Sequence, residues 1–274
     1  MRYRCRVRVG LAAGLLLAFG LVPVGARSET GDAAANEEDA QLKAMEADTD
    51  PTKPVFWTLR DEFFDLDGAA WKNVITLRRD EAVLEKNLLP GKAKGVILRA
   101  DLPMVTLHAG DDTTTGLGDL YGQAIIVSRI AGNFFFAYGS GLVLDTASDD
   151  RLGTGKWIAA PSVAPIWFFR KGGFAFVKVQ DWISVHGDSE RADVHYLTVT
   201  PTFFRRLSRR WWTVIDSESQ TDWERKERTN FRAGLLVGCM LTPRTGLSLK
   251  FEAPFGGNPQ GDWTLRLVFI RTRY

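Results

Sequence analysis

The chain has 274 residues, 45% hydrophobic and 25% charged, which excludes a disordered or low-complexity protein. Its formal charge of +2 rests on four arginines in the first eight residues. Without residues 1–26, 31 basic residues face 33 acidic ones, so no strongly basic domain remains and no nucleic-acid partner is expected.

Arg2, Arg4, Arg6 and Arg8 precede an apolar stretch from Val9 to Leu21, and Val24-Gly25-Ala26 supplies the small residues that a signal peptidase reads. This pattern predicts a secretory signal peptide over residues 1–26. Residues 27–54 are acidic, with Glu29, Asp32, Glu37, Glu38, Asp39, Glu46, Asp48 and Asp50, and close on Pro51 and Pro54. They read as a flexible periplasmic leader, with a short helix around 37–47 as its one candidate element. Of the two cysteines, Cys5 falls in the signal and Cys239 has no internal partner. Cys239 reads as a packed or lipid-facing thiol rather than a metal ligand.

From Val55 onward, apolar and aromatic runs of about ten residues recur between clusters of Gly, Pro, Asp and Asn. No stretch after residue 26 is long and apolar enough for a membrane-spanning helix. The runs predict twelve strands, at 55–60, 71–79, 94–104, 118–129, 133–145, 156–169, 173–186, 192–206, 209–217, 230–242, 245–254 and 263–274. Ten to fourteen fit the same punctuation. Pro161 and Pro165 make 156–169 the poorest fit to a ladder.

Period-two alternation separates two faces. Leu247, Leu249, Phe251 and Ala253 oppose Ser248, Lys250 and Glu252. Val96, Leu98, Ala100 and Leu102 oppose Ile97, Arg99 and Asp101, while Leu120, Gly122, Ala124 and Ile126 oppose Asp119, Tyr121 and Gln123. One set is aliphatic or small; the other carries full charges. Nine tryptophans, including Trp157, Trp167, Trp182, Trp211, Trp212, Trp223 and Trp263 near strand ends, suit the two interfacial girdles of a membrane barrel. The fold expected is therefore all-β: a transmembrane antiparallel up-and-down β-barrel over residues 55–274, in the bacterial outer membrane of a Gram-negative cell. A tryptophan-rich soluble sandwich is the competing reading.

In the last strand Val268, Ile270, Thr272 and Tyr274 share a face, opposite Phe269, Arg271 and Arg273. An aromatic last residue resembles the signal by which bacterial outer-membrane barrels engage the barrel-assembly machinery. That reading puts Val268, Ile270 and Thr272 on the lipid face. Arg266 then falls on the lipid face too, unless a bulge near Leu267 intervenes.

A second resemblance runs from about Arg99 to Tyr274. Its fragments are Gly116-Leu117-Gly118-Asp119-Leu120, Leu152-Gly153-Thr154-Gly155-Lys156-Trp157, Val179-Gln180-Asp181-Trp182-Ile183-Ser184-Val185-His186-Gly187-Asp188, Asp222-Trp223 and the glycine-rich Gly234–Gly238. These resemble the bacterial outer-membrane proteins described as transporters of the meta-pathway of phenol degradation. Cys239-Met240-Leu241-Thr242-Pro243 departs from that family's Pro-Leu-Gly entry into the following strand. The resemblance implies a barrel and a transport role, and it implies no catalytic residue.

The chemistry follows from the faces. Arg99, Asp101, Asp119, Tyr121, Gln123, Lys178, Gln180, Lys250 and Glu252 are the candidate lumen-facing, solute-binding residues, and Arg271 and Arg273 are also expected to point inward. Such charges must be paired or wet. The leading function is an outer-membrane channel for passive passage of small, aromatic or hydrophobic solutes, with no cofactor, no metal and no catalytic turnover. Expected partners are outer-membrane lipid, lipopolysaccharide and the solute. Two alternatives stand beside it: an outer-membrane hydrolase using Ser184 and His186, which fall two apart on one strand and so share a face, and a closed structural barrel. Gly116-Leu117-Gly118 lacks the rest of a dinucleotide loop. Gly153-Thr154-Gly155-Lys156 lacks the spacing of a phosphate loop and reads as an exposed loop tip. The Arg205, Arg206, Arg209, Arg210 cluster reads as a solvated turn that can also meet lipid phosphates.

Overall fold

A computed structural model describes residues 56–82, 93–169, 172–225, 228–256 and 261–272. The expected signal peptide, the acidic leader and the last two residues, Arg273 and Tyr274, lie outside the described residues. Strands occupy Trp57–Asp65 (β1), Trp71–Ala82 (β2), Ala93–Ala109 (β3), Asp112–Leu117 (β4), Leu120–Ala131 (β5), Phe134–Leu144 (β6), Lys156–Phe168 (β7), Gly173–Gly187 (β8), His195–Arg206 (β9), Trp211–Asp222 (β10), Arg228–Thr242 (β11), Thr245–Phe255 (β12) and Trp263–Arg271 (β13). Each pairs antiparallel with its neighbour. The sheet closes where β1 meets β13, from Trp57 opposite Arg271 to Asp65 opposite Trp263.

β4 and β5 are one stave of the barrel, broken at Gly118-Asp119. The long β3 faces both of them, pairing Met104–Ala109 with β4 and Ala93–Asp101 with β5. The closed barrel therefore has twelve staves, as the alternation predicted. Pro103 sits opposite the break and has no N–H to donate; its carbonyl instead accepts from Gly118 N at 3.0 Å.

The other strand prolines follow the same rule. Pro161 and Pro165 pair with β6, while β7's ladder to β8 skips both. Pro201 pairs with Val177 of β8, while β9's ladder to β10 stops at Thr202 and resumes at Val199. The doubtful strand 156–169 is thus real. Its prolines are accommodated because each missing N–H falls where one ladder is interrupted.

Four of the five connections at the end holding Trp57 and Arg271 are tight, at 132–133, 169–172, 207–210 and 243–244, the exception being 83–92; the opposite end carries 145–155, 188–194, 223–227 and 256–262 beside the shorter 66–70 and 110–111. We call these the terminal end and the loop end. This asymmetry is the one expected of bacterial outer-membrane barrels.

The outer wall is apolar. Leu59, Leu77, Leu98, Leu102, Val163, Val177, Ile215, Leu235, Val237, Leu249 and Leu267 all expose their side chains there. Cys239 shares this outward parity, as expected for a lipid-facing thiol. Outward Trp57, Trp167 and Trp211 lie near the terminal end, and outward Trp71, Trp157, Trp223 and Trp263 near the loop end. Two tryptophans expected in the girdles point inward instead: Trp212 is buried in the lumen and Trp182 lines a lumen cavity.

The last strand corrects the expected facing. β13 runs without a bulge, so Val268, Ile270 and Thr272 are buried inside while Leu265, Leu267 and Phe269 are exposed on the outer wall. Arg266 therefore faces the lumen, and Arg271 is exposed on the outside rather than inward. Either facing puts an arginine on the outer parity, Arg266 in one case and Arg271 in the other. Tertiary charge pairing decides it, because Arg266 finds carboxylates inside.

Candidate functional site: a charged vestibule above an apolar floor

The inward residues change character along the barrel axis. Near the terminal end they are apolar and buried. Phe174, Phe204, Trp212, Val214, Leu236, Met240, Val268 and Ile270 form one cluster; Ile97, Ile125, Val127, Ala137, Ala164 and Ile166 form a second. Phe168 and Phe176 pack against both. Phe174 and Phe204 stack with ring centroids 4.8 Å apart. Thr58, Asp80 and Ser248, from the remaining staves β1, β2 and β12, are also buried. At this height the lumen is filled by side chains, like the core of a soluble protein. The expected open path for diffusion is therefore interrupted by an apolar floor.

Above the floor the inward residues become ionic. Arg78 grips Asp101 through two hydrogen bonds of 2.7 Å. Arg60 lies 3.4 Å from Asp101 and 2.9 Å from Glu62. Arg266 reaches Glu62 at 2.6 Å and Glu252 at 3.2 Å. Lys250 reaches Glu252 at 2.9 Å and Asp216 at 2.6 Å. These contacts make one chain of alternating sign across the wall from β3 to β10, with four cations and four carboxylates. Lower on the same wall Arg99 holds Asp80 bidentately at 2.9 and 2.8 Å. Charges this poorly hydrated persist because each is compensated and the geometry is directional.

The facing wall is aromatic and amide-bearing. Trp182 lies between Tyr121, centroid 5.8 Å away, and Tyr196, stacked at 5.7 Å. Gln180 donates to the Tyr121 hydroxyl at 3.2 Å and to the Ala160 carbonyl at 3.4 Å, and Gln123 donates to Ser162 at 3.3 Å. Gly141 on β6 lies under the Tyr121 ring, where a Cβ would collide with it. The two walls enclose a cavity of about 330 Å³ lined by Arg60, Arg78, Arg99, Asp101, Tyr121, Gln123, Lys178, Gln180, Trp182 and their neighbours.

Seven of the nine candidate residues, Arg99, Asp101, Asp119, Tyr121, Gln123, Lys178 and Gln180, line this one cavity. Lys250 and Glu252 face the same lumen as links in the ion chain. Asp119 has a different job from a free lumen charge. At the break between β4 and β5 its carboxylate accepts from the N–H groups of Thr146 (3.2 Å), Ala147 (3.2 Å) and Thr154 (2.7 Å), and from the Thr154 hydroxyl at 2.9 Å. It pins the 145–155 loop at the rim. The Gly153–Lys156 turn therefore spends its donors on the chain's own carboxylate, while Lys156 pairs with Asp193 at 2.9 Å.

Ser184 and His186 do not share a face. A register shift between Trp157 and Ile158 pairs Ser184 with inward Ile158, and His186 with outward Trp157. The His186 ring packs edge-on against Trp157 at 6.2 Å. Ser184 Oγ instead meets Asp193 at 3.3 Å and accepts from Val194 N at 3.1 Å. The bulge, which alternation alone does not reveal, removes the geometric premise of the hydrolase alternative.

Sequence reasoning missed Arg60, Glu62, Arg78, Asp80, Asp216 and Arg266. β1 and β2 mix charges into both parities, so their faces had no clean reading. One signal was available: Gly234 and Gly238 share inward parity. A Cβ at Gly234 would meet Lys250 and Asp216, and one at Gly238 would strike the Trp212 ring. Glycines two turns of the pleat apart thus marked where neighbouring strands send large side chains inward.

No protein-family model and no curated protein matches the chain. Solved structures do. An outer membrane channel from Pseudomonas putida F1 superposes with a TM-score of 0.64 at 14% identity, over 80% of this chain and 96% of that one. The NanC porin superposes with a TM-score of 0.57 at 8% identity, over 79% of this chain and 99% of that one. At these identities the likeness establishes the fold: a twelve-stranded barrel of the outer-membrane type.

Proposed function

We propose that the protein is a gated channel of the bacterial outer membrane, carrying small solutes through a charged vestibule. The observation that carries the reading is the lumen itself: a closed barrel with an apolar outer wall encloses a polar, fully organised cavity. A purely structural barrel has no need to hold so many charges away from water. Fold-level likeness to an outer membrane channel and to a porin supports the same reading. The terminal end, with its tight turns, faces the periplasm, and the loop end faces outward. The apolar floor makes the described state a closed one, so conduction requires the floor to part. A preference for small aromatic or hydrophobic solutes rests on the resemblance to the phenol meta-pathway family.

The test is conductance of refolded residues 27–274 in a planar bilayer. Rare, discrete openings over a quiet baseline are expected. A folded barrel that stays silent across all applied voltages, and leaves loaded liposomes sealed to small solutes, overturns the channel reading.

A further inference from the structure

One cation of the vestibule makes no direct ion pair among the described residues. Four cations line the cavity. Arg60 and Arg78 share Asp101, and Arg99 is clamped to Asp80. Lys178 has no hydrogen bond and no carboxylate within 4 Å among the described residues. Glu218, the opposing charge that acts on it from β10, instead accepts the Thr200 hydroxyl at 3.3 Å and does not line the cavity. A half-buried ammonium that faces the cavity with no carboxylate in direct contact is a ready counter-charge for a bound anion.

The surroundings of Lys178 set what kind of anion. Trp182, Tyr121, Val143 and Pro103 give the cavity an apolar side that a bare inorganic ion would not use. Both donor bonds given by the Gln180 amide end on the protein's own oxygens. The volume, about 330 Å³, admits a body of roughly ten heavy atoms. We infer that the vestibule is a binding site for a small organic monoanion, its carboxylate on Lys178 and its apolar body against Trp182 and Tyr121.

This inference rests on the vestibule being reached from the loop end, as the proposed function has it, but it does not need the floor to open. Binding and conduction therefore fail separately. Hexanoate, hexanamide and formate would be titrated calorimetrically into the refolded protein in detergent. Expected are saturable one-site binding of hexanoate, at least tenfold weaker binding of hexanamide and formate, at least tenfold loss in Lys178→Met, and recovery to within a few-fold in Lys178→Arg. Hexanamide bound as tightly as hexanoate overturns the role of charge. Formate bound as tightly overturns the apolar wall. A folded Lys178→Met that binds like the parent overturns the assignment to this lysine. If that variant does not fold, the three-ligand comparison on the unaltered protein decides. Saturable hexanoate binding in a barrel that never conducts would remove the channel and leave the site.

Discussion

At the scale of single residues, the vestibule works by mutual compensation, and that makes its members unequal. Asp101 accepts from Arg78 twice and faces Arg60 as well, with its side chain 10% exposed. Asp101→Asn keeps the shape, removes the carboxylate that Arg78 grips and leaves Arg60 with Glu62. Breaking a buried pair from one side typically costs about 3–5 kcal/mol, and the wet side of the cavity puts this case at the lower end, about 3 kcal/mol. Urea unfolding of the refolded barrel in lipid vesicles, followed by tryptophan fluorescence, should show that loss. An unchanged midpoint would mean that water already screens the pair. Gly141 is sensitive for a steric reason. Gly141→Ala drives a methyl into the Tyr121 ring, which is locked by Gln180, so about 2 kcal/mol of overpacking is expected by the same unfolding measurement. Gly139→Ala on the same strand would meet the Ala124 backbone instead, and its cost should not involve the aromatic wall.

At the scale of elements, alternation made most of this barrel legible. Twelve staves, the outward Leu247-Leu249-Phe251 face and the inward Arg99–Asp101 face were readable, because a one-residue slip would turn charges into lipid, while β4 at Asp112–Leu117 and the extension of β3 to Ala109 that pairs with it were not. Readability failed where geometry breaks the period. The bulge beside Val185 separates Ser184 from His186, and the split of β4 from β5 gives Asp119 to the rim loop. The β13 facing failed because Val268 and Ile270 belong to an apolar floor, so apolar no longer meant lipid. Two element-scale consequences are measurable. The β7–β8 ladder, skipped at Pro161 and Pro165, should exchange its amide hydrogens faster than the β11–β12 ladder, which runs from Phe231 to Met240 without a gap. The rim loops should respond to pH. The hydrogen bond from Lys156 holds the Asp193 carboxyl below its ordinary value. A lowered carboxyl pKa means the contact is complete above the ordinary carboxylate range and is lost as pH falls through the lowered value. Amide exchange in 188–194 should therefore quicken only below about pH 4, with the strands unaffected.

At the scale of the whole molecule, the barrel is two structures stacked along one axis: an ionic, cavity-bearing half toward the loop end and a packed apolar half toward the terminal end. The apolar half fills the barrel's cross-section, so on the proposed channel reading its side chains set the balance between open and shut. Phe174 and Phe204 stack at its centre, both fully buried, and Phe168 and Phe176 join its two clusters. Truncating Phe204 to Ala removes the ring stacked on Phe174, which in turn meets Phe168 and Phe176, the residues packed against both clusters. It should cost about 3–5 kcal/mol of stability and leave a void in the floor. A void bordered by apolar side chains conducts poorly while dry and abruptly once wetted, so the expected signature is a change in kind rather than degree. Phe204→Ala should raise the fraction of time open many-fold without altering charge selectivity, because Arg60, Arg78 and Lys178 are untouched. Lys178→Met should do the reverse, altering selectivity and leaving open time alone. Paired single-channel recordings check both at once. If Phe204→Ala opens nothing while a vestibule charge variant changes the open time, the floor is not the gate, and closure lies instead in the rim loop held by Asp119.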